Sequence, residues 1–197
     1  MANKLNTLKN KSLFYAFLAT SIAAAILILC IFLPYGSAIG ENADYLKERK
    51  DVVLEEDLNL EAGDLLHISM IEFARIYFYV GEMLDEDWIG ILYTVLVSVI
   101  FCFAFLTLLF ALLKKPIATI IFDILAFVVF SFENLSYTDR GVIPGDDFGW
   151  GIGYYLFFVA SAVVLGAAIW MLVAKIQDKK RVIQVETGET PIWQQLT

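Results

Sequence analysis

Four long stretches of the chain carry almost no charge, and they constrain the fold more than any other feature of the sequence. Leu13–Leu33, Gly90–Leu113 and Trp150–Ala174 contain no Asp, Glu, Lys or Arg, and Ile117–Phe132 contains only Asp123. A helix rises about 1.5 Å per residue, so about 20 apolar residues cross the hydrocarbon core of a membrane. Because lipid offers no hydrogen bonds, each stretch must satisfy its own backbone as a helix. The sequence therefore predicts an all-α membrane protein, a bundle of four transmembrane helices.

The composition excludes the common alternatives to a membrane protein. Hydrophobic residues make up 59% of the chain and charged residues 18%, whereas a soluble domain has about 45–50% and about 25%. Neither an ordinary soluble domain nor a disordered scaffold fits these values. The net charge of −8 argues against nucleic acid as a partner, because the phosphate backbone attracts Lys and Arg.

The distribution of positive charge predicts the orientation of the helices. Nine of the 14 Lys and Arg residues fall in segments 1–12, 114–116 and 175–197, whereas the longer segments 34–89 and 133–149 hold five. Cytoplasmic loops retain the excess of Lys and Arg. We therefore expect a multi-pass protein of the plasma membrane with a cytoplasmic N-terminus, turn and C-terminal tail, and with two extracytoplasmic loops.

The first apolar stretch could also be read as a secretory signal peptide, because three lysines precede it. The apolar core of a signal peptide is usually about 7–15 residues long, and Leu13–Leu33 is longer than that. A retained membrane anchor is the preferred interpretation.

Segment 34–89 is predicted to form a small extracytoplasmic subdomain. Within it, apolar residues recur every three or four positions, which predicts an amphipathic helix over about 65–84 with Asp64 as its N-cap. Such a helix packs on its own bundle, which we prefer, or lies on the membrane interface. Whether Val52–Leu54 and Leu58–Leu60 are short strands is left open.

Acidic residues are concentrated in this first loop and predict an anionic outer surface. A run of acids can bind Ca²⁺, attract a cationic peptide, or simply form a solvated face. The calcium-binding interpretation is weak because no EF-hand spacing with its glycine occurs. With one histidine and two cysteines in the whole chain, we predict no metal site and no cofactor. The candidate acidic patch comprises Glu55, Glu56, Asp57, Asp85, Glu86 and Asp87.

Asp123 is the one charged residue inside the predicted spans. It lies roughly 9 Å from the cytoplasmic start of its helix, where a charged Asp costs on the order of 2–3 kcal/mol. Thr107 and Thr20 fall at a similar depth on the second and first helices, so we predict a polar layer of these three residues. The layer is either an interhelical hydrogen-bond cluster, which we prefer, or a proton or cation relay.

Small residues on the fourth helix predict close helix packing. Gly149 and Gly153 form a G-x-x-x-G pattern, and Ala160 and Ala167 continue the same face. Small residues let helices approach where lipid provides no hydrophobic driving force. The first helix carries a matching alanine stripe, so we expect helices one and four to pack together within one chain. A homo-oligomeric interface is the alternative.

The last third of the chain resembles a family of uncharacterised four-span membrane proteins of Gram-positive bacteria. The residues that carry the resemblance are Gly141–Pro144, Trp150–Leu156 and Gly166–Leu172. The resemblance covers about the last helix and its entry loop. It implies a bacterial plasma membrane and no particular activity.

Two functions from different classes follow as hypotheses. The preferred one is an interaction or accessory protein whose acidic outer loop contacts a membrane or envelope protein, with the lipid bilayer as its other partner. The alternative is a small transporter or channel subunit that uses Asp123 as a proton or cation site. We expect no catalysis, because no nucleophile–base pair or Gly-x-Ser-x-Gly motif is visible.

Overall fold

The structure is a computed structural model that describes residues 2–83, 85 and 87–187. The described residues form a predominantly helical chain with six α-helices, five short strands and a 3₁₀ turn at Asp64–Leu66. The helices are α1 (Ala2–Cys30), α2 (Gly40–Glu48), α3 (Met70–Met83), α4 (Asp87–Leu112), α5 (Pro116–Asp139) and α6 (Ile152–Thr187). The strands are β1 (Pro34–Ala38), β2 (Val53–Glu55), β3 (Leu60–Glu61), β4 (His67–Ser69) and β5 (Phe148–Trp150).

Four of these helices are long and apolar enough to cross a membrane, which confirms the predicted number of long apolar helices. The apolar segments are Ser12–Cys30, Trp88–Leu112, Pro116–Asp139 and Ile152–Gln177. The third is longer than expected, because α5 continues seven residues beyond Phe132 to Asp139. The last helix also runs on through the polar tail to Thr187, and 188–197 lie outside the described residues.

The four long helices form a closed bundle in which each helix contacts two others. α1 packs most extensively on α6, and α4 packs on α5. Contacts of α1 with α4 and of α5 with α6 complete the ring. The pairing of α1 with α6 agrees with the small residues on both helices, which allow close approach.

A three-stranded antiparallel sheet lies at the end of the bundle where α1 ends and α6 begins, which we call the sheet end. β1 is the central strand, between β4 and β5. It follows α1 directly and pairs Gly36 with Trp150, just before α6 starts. The sheet therefore ties the ends of α1 and α6 together. A separate hairpin of β2 and β3 overlaps the two segments whose strand character the sequence left open, although Val52, Leu58 and Asn59 lie outside its strands.

The amphipathic helix of the first loop, α3, begins at Met70 and not near residue 65. The residues before it, His67–Ser69, pair with β1 instead. Ser69 is the cap: the Ser69 amide donates to Glu72 Oε2 at 2.7 Å, and the Glu72 amide donates to Ser69 Oγ at 3.3 Å. This reciprocal capping box replaces the predicted cap, Asp64, whose carboxylate accepts from the Glu61 amide.

α3 packs against the first turns of α4 at the sheet end. The contact is close because Gly90 faces the backbone of α3; a Cβ at Gly90 would lie 2.4 Å from Phe78 Cα. The helix thus rests on its own bundle, one of the two arrangements considered from the sequence. Its other face is exposed, with Glu72 and Met83 accessible.

Candidate functional site

Asp123 lies about two turns into α5 and is completely buried. Ser161 of α6 donates a hydrogen bond to Asp123 Oδ2 at 3.2 Å. The other carboxylate oxygen, Oδ1, has no hydrogen-bond partner within the described part of the chain. A buried polar oxygen without a partner costs about 1–3 kcal/mol, and more when charged. Asp123 Oδ2 is therefore hydrogen-bonded, whereas Oδ1 is a buried acceptor without a donor in the described part of the chain.

The other two members of the predicted polar layer are buried but bond within their own helices. Thr20 Oγ1 donates to the Ala16 carbonyl at 2.7 Å, and Thr107 Oγ1 donates to the Phe103 carbonyl at 2.8 Å. Over the described residues no hydrogen bond joins either threonine to Asp123. The partner that the sequence reasoning missed is Ser161, the single Ser or Thr within the last apolar stretch.

A second buried acid, Glu133, lies on the same face of α5, one residue beyond the predicted end of the span. Its side chain is completely buried, and neither carboxylate oxygen has a hydrogen-bond partner among the described residues. The sequence places Glu133 at the start of the predicted extracytoplasmic loop 133–149, where residues 133–135 can extend the third span into the headgroup region. The spacing of the sequence indicates the burial of Glu133. Residues three or four positions apart share one face of a helix, and Glu133 continues the face of Asp123 in this way. The residues of this face are Asp123, Ala126, Phe130, Glu133 and Tyr137.

Tyrosine and asparagine side chains surround Glu133 at the sheet end. The Tyr35 hydroxyl donates to Asn134 Oδ1, whereas Asn134 Nδ2 and the Tyr137 hydroxyl lack partners in the region that the structure describes. The Tyr93 and Tyr137 rings stack with centroids 4.9 Å apart. Unpaired groups within an aromatic core mark this cluster as a polar site under the sheet.

Burial favours the protonated form of two tyrosines at the sheet end, Tyr35 and Tyr77. It raises the pKa of Tyr35 well above its usual value, and the neighbouring negative charge of Glu133 raises it further. Burial likewise raises the pKa of Tyr77 to about 12, with a smaller contribution from Tyr93. The hydroxyls can therefore act as hydrogen-bond donors and acceptors here, and not as acid–base groups near pH 7.

The predicted packing residues divide between the sheet and α6. Gly149 lies in β5, because Phe148–Trp150 pairs with β1, so it is not part of the helix as expected. A Cβ at Gly153 would lie 3.0 Å from the carbonyl oxygens of Cys30, Leu33 and Pro34. Ala160 and Ala167 are buried on α6.

The acidic patch is only partly brought together. Glu56, Asp57 and Asp85 are exposed and Glu55 is half-buried; Glu86 and the side chain of Asp87 lie outside the described residues. A hydrogen bond with Glu55 raises the pKa of Tyr79, and the charges of Asp57 and Glu82 add to the effect. The hairpin acids and the end of α3 therefore face each other across Tyr79. Glu82 was not among the predicted patch residues.

Among the described residues, no three His, Cys, Asp or Glu side chains lie close enough together to hold a metal ion. Cys30 is buried and Cys102 is exposed, and both are free thiols.

The comparisons with known proteins give no family for the chain. No protein-family model matches it, and no curated protein or solved structure is similar to it.

Proposed function

We propose that the protein is an accessory protein of the bacterial plasma membrane, with both termini in the cytoplasm and no catalytic activity. Its acidic surface at the sheet end contacts a membrane or envelope protein. One observation carries the proposal: the β2–β3 hairpin presents exposed apolar residues directly beside its acids. Val53 is 51% exposed and Leu54 47%, and they adjoin Glu55–Asp57.

Exposed apolar side chains next to charges are typical of a recognition surface. A solvated acidic loop would not need them, whereas a protein interface combines an apolar centre with a polar rim. The hairpin is also held in place. Arg75 Nη2, on α3, donates to the Leu58 carbonyl in the turn between β2 and β3 at 2.9 Å. A surface that is already ordered loses less entropy on binding.

The charge of this surface favours a basic partner. In the orientation that the Lys and Arg distribution favours, the sheet end faces outward and carries most of the 22 acidic residues. A cationic surface approaching this face is attracted over roughly a Debye length, about 8 Å at physiological salt. Binding to the partner should therefore weaken as salt is raised.

Neutralising the hairpin is expected to weaken partner binding about tenfold, equivalent to about 1.4 kcal/mol. The variant combines Glu56→Gln with Asp57→Asn, and a second variant combines Val53→Ser with Leu54→Ser. The measurement is chemical crosslinking in native membranes, followed by quantification of each co-purified protein. The control is Asp146→Asn with Asp147→Asn, which removes the same charge from an exposed run elsewhere. If every co-purified protein is retained in both hairpin variants, the proposal is wrong.

A small transporter or channel subunit is the second candidate, and the unpaired Oδ1 of Asp123 favours it. Ionisable groups inside a membrane bundle often mark proton or ion sites. Asp123→Asn keeps the shape and the bond from Ser161 but cannot exchange a proton. On this hypothesis it lowers proton flux into liposomes at least tenfold, to the level of empty vesicles.

The matched control is Thr107→Val, a buried position whose hydroxyl bonds its own helix, and its flux should equal that of the unmodified protein. Equal flux in the Asp123→Asn and unmodified proteins would exclude this candidate.

A further inference from the structure

A groove lies between α3, α4 and the end of α1. Its volume is about 690 Å³, within the range of small-molecule and cofactor pockets. Its floor consists of Ile31, Phe32, Ile71 and Phe101. The Phe32 and Phe101 rings meet edge to face at 6.4 Å.

The two charged residues of the groove lie further along α3 from the end of α1 than Ile71 does, with Phe78 between them. α3 starts beside β1, where Ser69 pairs with Pro34, so Ile71 lies near the end of α1. Arg75 and Glu82 also line the groove and lie about 6 and 16 Å further along α3. On α4, Thr94 lies about 10 Å from Phe101 in the same direction.

The floor of the groove is open at the side, at the level where α1 ends. Phe32 is 56% exposed, and Phe101 and Ile71 are each 40% exposed. Since Phe32 follows the apolar segment Ser12–Cys30 and Phe101 lies within the segment Trp88–Leu112, hydrocarbon chains surround this floor when the helices span a membrane. An occupant that enters from the membrane would meet apolar side chains first and charged ones above them.

The charged rim is complementary to a headgroup with both signs of charge. Arg75 uses one of its five N–H donors on the Leu58 carbonyl, which leaves donors for a phosphate. Glu82 and Tyr79 line the groove with Arg75. One guanidinium and one carboxylate, about two helical turns apart on α3, suit a phosphate with an ammonium group next to it.

We propose that this groove binds one phospholipid of the ethanolamine class, with an acyl chain on the floor, the phosphate at Arg75 and the ammonium at the carboxylate of Glu82. The apolar floor and the two charged residues beyond it match the two ends of the lipid. This binding does not require the protein partner proposed above, so each proposal is tested separately.

The test measures lipid retention by the full-length protein. The protein is reconstituted in bilayers with equal amounts of phosphatidylethanolamine, phosphatidylcholine and phosphatidylglycerol, extracted in mild detergent and weighed by native mass spectrometry. We expect one phosphatidylethanolamine per chain, retained about tenfold more often than either other lipid, since a hydrogen bond to a charged group gives a difference of this size. Equal retention of the three lipids would overturn the proposal.

Two kinds of variant locate the lipid. Thr94→Trp fills the groove without removing a charge and should lower retention about tenfold, whereas Val95→Trp adds the same ring to a neighbouring exposed position that does not line the groove and should have no effect. Glu82→Gln should abolish the preference for ethanolamine over choline while some lipid stays bound. No loss in Thr94→Trp, an equal loss in Val95→Trp, or a dimer mass in place of a lipid adduct would each overturn the proposal.

Discussion

Replacing Tyr35 with alanine should lower the free energy of unfolding by about 3–5 kcal/mol, the usual cost of truncating a large aromatic side chain in a core. Tyr35 is completely buried and lies where β1, α3, α5 and α6 meet. Its ring contacts five other rings at centroid distances of 5.4–6.4 Å: Phe73, Phe130, Tyr137, Trp150 and Tyr154. The measurement is the thermal unfolding midpoint of the detergent-solubilised protein. A loss under about 1 kcal/mol would mean that the cluster does not hold the sheet to the bundle.

Tyr35→Phe is the matched variant, because it keeps the ring and removes only the hydroxyl. It should cost about 1–3 kcal/mol at neutral pH, since Asn134 Oδ1 loses its donor. The pH dependence gives a second readout. The pKa of Tyr35 is raised above its usual value by burial, so its contribution to stability is complete below pH 10 and is lost as the pH rises further. The phenylalanine variant should therefore unfold less steeply in alkali than the unmodified protein.

The number and approximate position of the long helices could be predicted because the evidence for them is local. A run of 20 uncharged residues has one structural solution in a membrane, whatever the rest of the chain does. The cap of α3 is also visible in a local pattern of the sequence. Ser69 and Glu72 have the S-x-x-E spacing of a helix start, whereas Asp64 was chosen as the cap on its residue type alone.

The sheet could not be predicted, because its pairing is between distant segments. Gly36 pairs with Trp150 and Ser37 pairs with Gly149, more than a hundred residues apart, and each strand is too short to show an alternation of polar and apolar residues. Without knowledge of this pairing, the G-x-x-x-G pattern of Gly149 and Gly153 is interpreted as one face of a helix. The pairing of β5 with β1 then takes Gly149 out of that helix.

A buried acid at the end of a membrane span is not recognised when spans are defined as stretches without charged residues. Asp123 was found because it interrupts an apolar run, but Glu133 lies one residue past the end of such a run and was counted with the loop. α5 continues to Asp139 because the aromatic cluster at the sheet end buries its last turns. The polar residues of the span therefore form two separate sites on one helical face, Asp123 with Ser161 and Glu133 among the tyrosines.

Replacing Gly90 should detach α3 from the bundle more effectively than any change on the surface of α3. A Cβ at this position would lie 2.4 Å from Phe78 Cα and 3.0 Å from the Tyr77 carbonyl oxygen, and both are backbone atoms that cannot move aside like a flexible side chain. Gly90→Leu adds four carbons at this contact, so the cost should exceed the 1–3 kcal/mol typical of overpacking in a core. The measurement is thermal unfolding of the solubilised protein, combined with limited proteolysis of α3.

Gly166 offers the matched control, because it is also a glycine within a long apolar helix, but a Cβ there meets no atom within 4 Å. Gly166→Ala should stabilise the protein by about 0.5–1 kcal/mol, since alanine loses less backbone entropy than glycine in a helix. If Gly90→Leu lowers the free energy of unfolding and Gly166→Ala raises it, close contact with α3, and not helix propensity, determines the residue at 90. If Gly90→Leu unfolds at the same temperature as the unmodified protein and α3 stays resistant to protease, α3 does not pack on α4. The groove between them, and the lipid site proposed in it, would then be wrong as well.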